Sequence, residues 1–171
     1  MADAYRVLVL GGDGIGPEVT AAAVSILTHT AHLSGLIIEI ERDLLGGAAY
    51  DRHGVFCTDQ TLDRALGADA VLVGAVGGPN WDGIQRGGTA AEQDGLMRLR
   101  QALAVYAGLR PARHWPSLTA TTPFKPGLAD HADVIVVREL CGGAFFAEPR
   151  GIEPIEGGGF RAFDTNLYTT T

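Results

Sequence analysis

Apolar residues recur along this chain in two rhythms, unbroken runs and helical stripes, and the two alternate. Residues 5–10 (Tyr-Arg-Val-Leu-Val-Leu) form a short β-rich run that opens into a glycine-rich turn, Gly11 to Gly16. Pro17 suits the first turn of a helix, and Val19, Ala23, Ile26, Leu27 and Thr30 follow at helical spacing. Residues 36–42 alternate like a half-buried strand. Residues 58–66 read as a helix with Thr58 as its N-cap, and residues 68–75 as a second buried strand. Leu96, Leu99, Leu103 and Tyr106 make one apolar stripe of a further helix. Gly108 ends that helix, and Leu109-Arg110-Pro111 starts an extended segment, because Pro cannot continue a helix. Residues 133–137 (Asp-Val-Ile-Val-Val) are apolar on both faces, the pattern of a central strand in a parallel sheet.

Two stretches depart from these rhythms. Residues 111–127 are rich in Pro and Thr, carry no periodicity and read as a long connection. Residues 144–148 and 160–168 read as the halves of a hairpin around Gly157-Gly158-Gly159. The alternation of strands and helices predicts an α/β fold. Its sheet is expected to be largely parallel, with helices on both faces and a small β-hairpin extension.

Composition narrows the class. The chain has 171 residues, enough for one good core and few for two. A net charge of −7 with no basic run argues against nucleic-acid binding. No apolar stretch is long enough to span a bilayer and no signal peptide is visible, so the sequence reads as cytoplasmic. Cys57 and Cys141 lie far apart and outside any metal spacing. Cys141, before Gly142-Gly143, is a candidate nucleophile, although a small buried thiol is the commoner finding.

The residues that point to chemistry are three arginines. Arg100 lies at the border of the Leu96–Leu99–Leu103 stripe, while Arg98 lies on the opposite side of the helix. Arg110 stands in the extended segment, and Arg138, followed by Glu139, stands where the apolar run ends. Ligands of open α/β sheets bind at the carboxyl ends of strands. Guanidinium forks bond both oxygens of a carboxylate and cannot lose their charge. Converging, the three would bind a small acid; apart, each is a surface arginine with a snorkelling stem. The loop Gly77-Gly-Pro-Asn-Trp-Asp82 follows a strand and so falls on the ligand side. The first glycine turn is no dinucleotide fingerprint, since Pro17 replaces the third glycine after Gly12 and Gly14.

Several ordered segments resemble the 3-isopropylmalate dehydrogenase family, whose relatives act on isocitrate, tartrate and homoisocitrate. They are residues 10–19 (Leu-Gly-Gly-Asp-Gly-Ile-Gly-Pro-Glu-Val), Gly46-Gly-Ala-Ala and Val76-Gly-Gly-Pro-Asn-Trp-Asp82. Further on come Leu99-Arg100-Gln-Ala-Leu, Leu109-Arg110-Pro-Ala-Arg, Val137-Arg138-Glu-Leu-Cys-Gly-Gly, Glu148-Pro-Arg-Gly151 and Ala162-Phe-Asp-Thr165. The resemblance implies that Arg100, Arg110 and Arg138 hold the carboxylates of a 2-hydroxy acid that is oxidised and decarboxylated. It places Gly14, Ile15, Gly77 and Gly78 beside the nicotinamide end of a cofactor cleft that is not a Rossmann fold. It also divides the chain into a first-domain portion, 1–107, and a second-domain portion, 108–171.

Family members are about twice as long, and their later half carries the catalytic lysine, the metal-binding aspartates and the loop that grips the adenosine of NAD. Here Lys125 is the only lysine and lies in a Pro-rich loop. The family's proton-donating tyrosine falls at Phe145. A glutamate usual two residues before the glycine matching Gly95 is replaced by Gln93, with Glu92 one step further out. Without a base, a cation and a held nicotinamide, oxidative decarboxylation does not proceed. The reading favoured on these grounds is a shortened relative that binds a small carboxylate or 2-hydroxy or keto acid and performs a non-redox reaction on it, of isomerase, lyase or cyclase type. That reading requires no cofactor and no metal, leaves the glycine loops vestigial, and draws its acid–base groups from Glu139, Glu148 and Asp82, with His53 and His114 behind them. The alternatives are the N-terminal half of a 3-isopropylmalate dehydrogenase using NAD and Mg or Mn, and a non-catalytic interaction protein. A homodimer or a complementing chain is expected, because sheet edge and helix-packing surface would otherwise be bare.

Overall fold

The computed structural model describes residues 4–84, 95–125, 127–140 and 142–169, with the backbone alone for Phe145. Glu92, Gln93 and Cys141 lie outside the described residues. The chain divides into two compact units, Met1–Ala104 and Val105–Thr171.

The first unit is built on β1 (Tyr5–Gly12), the middle strand of a parallel sheet in the order β2-β1-β3. Its partners are β2 (Ile38–Asp43) and β3 (Ala70–Ala75). Successive side chains of a strand point to opposite faces, and β1 uses both. Leu8 and Leu10 pack with Leu45 and Cys57, which flank α2 (Gly47–His53), with Ala65 of α3 (Asp59–Gly67) and with Leu99 of α4 (Gly95–Ala102). Val7 and Val9 pack on the other face against Val24 of α1 (Gly16–Ser34), with Leu27, Ile38, Ile40 and Leu72 around them. Helices thus cover both faces, as the alternation of runs and stripes predicts.

Local chemistry sets the helix ends. Gly35 ends α1 in the left-handed region, at φ 68°, and donates to the carbonyls of Ala31 and His32. Thr58 caps α3 by accepting from the Thr61 amide at 3.0 Å. The buried face of α1 is Gly16, Thr20, Val24 and Ala31, with Leu27 half-buried; Val19 and Ile26, expected on it, are exposed. Helical spacing gives a stripe's direction to within a residue, and the polar Thr20 hides its membership by bonding its hydroxyl back to the Gly16 carbonyl at 2.8 Å. Helix α4 stops at Ala102, earlier than expected. Ala104 takes a positive φ of 49°, so Tyr106 lies beyond the helix with 69% of its surface exposed. Gly108, expected to end that helix, belongs instead to the next strand.

The second unit has two antiparallel pairs, β4 (Ala107–Arg113) with β5 (Asp133–Glu139) and β6 (Gly151–Pro154) with β7 (Phe160–Phe163). The expected hairpin is there, but its first strand is β6. The start of residues 144–148 belongs instead to a 3-10 turn, Gly143–Phe145. The central parallel strand expected at residues 133–137 is a strand, but it runs antiparallel to β4 in a two-stranded ribbon. Val134, Ile135, Val136 and Val137 are 52, 62, 51 and 65% exposed. The apolar run encodes a demand for cover on both faces and says nothing of partner direction.

Two outcomes follow from this core. Leu10, fully buried, should cost about 2–5 kcal/mol on replacement by Ala in urea unfolding, whereas exposed Ile26→Ser should stay within about 0.5 kcal/mol. Burial raises the Cys57 thiol from the ordinary 9.0 to about 11, although nearby Arg98 pulls it down. The native state therefore holds this proton after the unfolded chain has lost it. Stability from Cys57 is complete below about pH 9 and is lost as pH rises toward 11. A Cys57→Ala variant should lack that slope in pH-dependent unfolding curves. A thiol reagent near pH 8 should spare native Cys57.

Candidate functional site

The carboxyl ends of β1 and β3 lie side by side, and their loops are tied together by one side chain. In the order β2-β1-β3 the chain leaves β1 toward β2 on one side, with β3 on the other. Such a junction leaves a crevice above the strand ends. Asp13, 4% exposed, sits in the first loop. Its Oδ2 accepts from the amides of Gly47 and Gly77, both at 2.8 Å, and its Oδ1 accepts from the Ala48 amide at 2.7 Å. The Asp13 amide donates to the Ala75 carbonyl at 2.6 Å. One carboxylate thus joins the β1 loop, the β3 loop and the first turn of α2, whose own N-cap, Gly46, has no side chain to offer.

The surrounding residues show why they must be small. A Cβ on Gly46, whose φ is +75°, would stand 2.4 Å from the Asp13 Oδ2. A Cβ on Gly47 would stand 2.2 Å from the indole of Trp81. Trp81 in turn donates from Nε1 to the Asp51 carboxylate at 3.0 Å and from its amide to the Gly78 carbonyl at 3.1 Å. Outward of this knot the loops are bare. Nothing lies within 4 Å of a Cβ placed on Gly14 or Gly77, and Ile15 is 62% exposed. Gly14, Ile15, Gly77 and Gly78, expected beside a cofactor, stand on these two loops, and exposed backbone held in a fixed shape is compatible with a flat ligand.

The second unit carries two of the three arginines. Arg110 stands opposite Val136, and Arg138 opposite Gly108. Directly opposed residues share a face, and so do residues two apart. Arg110 and Arg138 therefore lie on one face of the β4–β5 ribbon as diagonal neighbours, Arg110 exposed and Arg138 half-buried. Arg100 belongs to the first unit, half-buried near the end of α4, with Nη1 3.7 Å from the Met97 sulfur. Arg98 is a clamp, donating from Nη1 to the Cys57 carbonyl at 2.7 Å and from Nη2 to Asp59. It fastens α4 to the start of α3.

The acids proposed for proton transfer are in different situations. Glu139 is adjacent to Arg138 and so projects to the opposite face of β5; its Oε2 accepts from the Gly142 amide at 3.1 Å. Glu148 pairs with Arg150, at 3.3 Å from Nε, and accepts from its amide at 3.0 Å. Asp82 is exposed in the turn after Trp81. His53 is exposed at the end of α2, and His114 bonds Thr119 at 2.9 Å beside Asp130. Among the described residues no three His, Cys, Asp or Glu side chains gather as a cation would require. No helix of the described residues is long and apolar enough to cross a membrane.

The sequence reading passed over Asp13, Trp81–Asp51 and the Arg98 clamp. Asp13 had a signal: it is the one acid inside the glycine turn, ahead of a second glycine pair at Gly46-Gly47. The distant amides that need it have none.

Comparison with known proteins places these features in a family. Residues 6–171 match the family described as isocitrate/isopropylmalate dehydrogenase. Over 164 residues the chain is 45% identical to the 3-isopropylmalate dehydrogenases of Pseudomonas fluorescens (strain Pf0-1) and Pseudomonas putida, and 44% identical to that of Xanthomonas oryzae pv. oryzae. Each match takes in 96% of this chain and 45% of the relative. The chain therefore spans about half the length of the relatives it matches. Among solved structures, isocitrate dehydrogenase from Methylococcus capsulatus superposes with a TM-score of 0.72 at 25% identity, covering 96% of this chain and 43% of the other. A beta-decarboxylating dehydrogenase from Thermococcus kodakarensis, in its apo form, gives 0.62 at 28% identity, covering 96% and 41%.

These findings overturn two expectations. A shortened relative turned to non-redox chemistry is not supported, because the relatives matched along nearly the whole chain are dehydrogenases. The expectation that no cofactor is required falls with it, since a dehydrogenase needs a hydride acceptor. Both had rested on residues missing from this stretch, which are no guide to what the stretch itself does. By its sequence match and its fold, the chain belongs to the isocitrate/isopropylmalate dehydrogenase family.

Proposed function

We propose that this chain supplies the N-terminal half of a 3-isopropylmalate dehydrogenase, an NAD-dependent enzyme that oxidises a 2-hydroxy acid and releases carbon dioxide. The observation that carries the reading is the pair of guanidinium groups on one face of the β4–β5 ribbon, in a chain 45% identical to enzymes of that name. Arg110 and Arg138 bind and orient the substrate carboxylates, and the family resemblance assigns Arg100 the same role. A planar fork on each carboxylate fixes the carbon that is to lose hydride, and the fixed positive charges keep the substrate anion seated. NAD, when bound over Gly14, Ile15, Gly77 and Gly78, supplies the hydride acceptor.

Among the described residues no group of His, Cys, Asp or Glu side chains forms a cation site. On this reading Mg or Mn is held by the part of the enzyme that the chain does not span, together with the base. Glu139 and Glu148 secure their own turns. The exposed apolar residues of β5 favour a chain that works in an assembly, with a complementing half or a second copy against them. The reading is of a cytoplasmic enzyme.

Co-expression with the C-terminal half of the Pseudomonas fluorescens relative tests it. The co-purified pair should reduce NAD when given 3-isopropylmalate and magnesium, and the chain alone should not. A well-folded pair that binds neither NAD nor 3-isopropylmalate sinks the reading. In the active pair, Arg110→Ala and Arg138→Ala should each weaken 3-isopropylmalate binding at least about tenfold, the loss expected of a charge-assisted bond. Lysine at either position should restore little of it, since it lacks the fork. Calorimetric titration with 3-isopropylmalate reads both.

A further inference from the structure

We infer that Asp13 is the positioning residue of the cofactor cleft: its buried carboxylate, by holding the Gly47, Ala48 and Gly77 amides, sets the spacing of the two glycine loops that receive the dinucleotide. The inference rests on the dehydrogenase reading and adds to it a residue that touches no ligand.

The geometry leaves Asp13 little other role. It is buried, so it serves neither solubility nor a surface ion pair, and all three of its acceptor contacts cross to other segments, 34, 35 and 64 residues away in sequence. The carboxylate has two oxygens and no donor, so it can accept from all three amides at once. An asparagine of the same shape has one acceptor oxygen, and its NH2 group must face at least one of these amides donor to donor. Oδ2 alone joins Gly47 to Gly77, so turning the asparagine NH2 to that position unties the β3 loop from α2. Turning it to Oδ1 instead releases Ala48. A side chain at Gly46 would itself strike Oδ2, so the arrangement needs glycine there as well as the acid. The exposed glycines gain their fixed shape from this contact, because a glycine alone is the residue least able to hold one.

The test is Asp13→Asn, in this chain by NMR and in the reconstituted pair by titration. Amide exchange at Gly47, Ala48 and Gly77 should rise at least about tenfold while Val9 and Leu10 in β1 keep their protection. In the pair, the dissociation constant for NAD should rise at least about tenfold while that for 3-isopropylmalate changes by less than about twofold. Such a split is not what general destabilisation produces, which would weaken both ligands alike. If Asp13→Asn does not fold, Ala48→Pro removes one donor and keeps the carboxylate, and Pro is tolerated in a first helical turn; it should weaken NAD binding selectively, by a smaller factor. Unchanged NAD affinity in the folded variants overturns this inference and leaves the dehydrogenase reading standing. A wild-type pair that takes up no NAD overturns both.

Discussion

A strand that is apolar on both faces has to be covered on both, and that requirement decides what each half of this chain can do by itself. In β1 it is met. Leu8 and Leu10 disappear under α2, α3 and α4, and Val7 and Val9 under α1. A strand fixed from two sides cannot slip in register without turning its apolar set around, so the ends of β1 and β3 are held where the glycine loops leave them. In β5 the requirement goes unmet, and four consecutive apolar residues remain exposed. In the first unit the strand ends that carry the glycine loops are held by this cover. The second presents a ribbon that calls for cover.

What was legible in the sequence follows the same division. Periodicity gave the parallel unit, its two helical layers and the Thr58 cap, because these are local patterns that burial enforces. It misjudged β5, because an apolar run records burial in the whole protein and carries no mark of partner direction. The end of α4 was missed for a backbone reason. Ala104 enters the left-handed region, and nothing about alanine announces that. The turn of α1 was misplaced because Thr20, polar by composition, buries itself by bonding its own helix.

The candidate sites were legible to different depths. Arginines declare their chemistry, and placing Arg110 and Arg138 at alternating positions of paired strands needed only the register. Asp13 did not declare itself, since a buried acid is understood only through the amides it receives, and those come from 34 and more residues away. The weightiest error was of another kind. Residues missing from the chain, a lysine in the right place and a metal cluster, were read as chemistry lost. A stretch that spans 45% of its relatives is no measure of the chemistry of the whole.

The face of the ribbon that bears the arginines also bears Val134 and Val136. Any apolar element that settles on those valines removes water from beside both guanidinium groups. Bonds from a guanidinium to a carboxylate gain strength as the local dielectric falls. The desolvation that opposes this gain is offset only when an anion is present to accept from both forks. If the ribbon binds an acid as proposed, cover and anion favour one another, and the two arginines reach their full selectivity for a dianion only once covered. On that proposal the exposed valines and the arginines beside them on the same face are linked, since an element that covers the first also strengthens the bonds of the second.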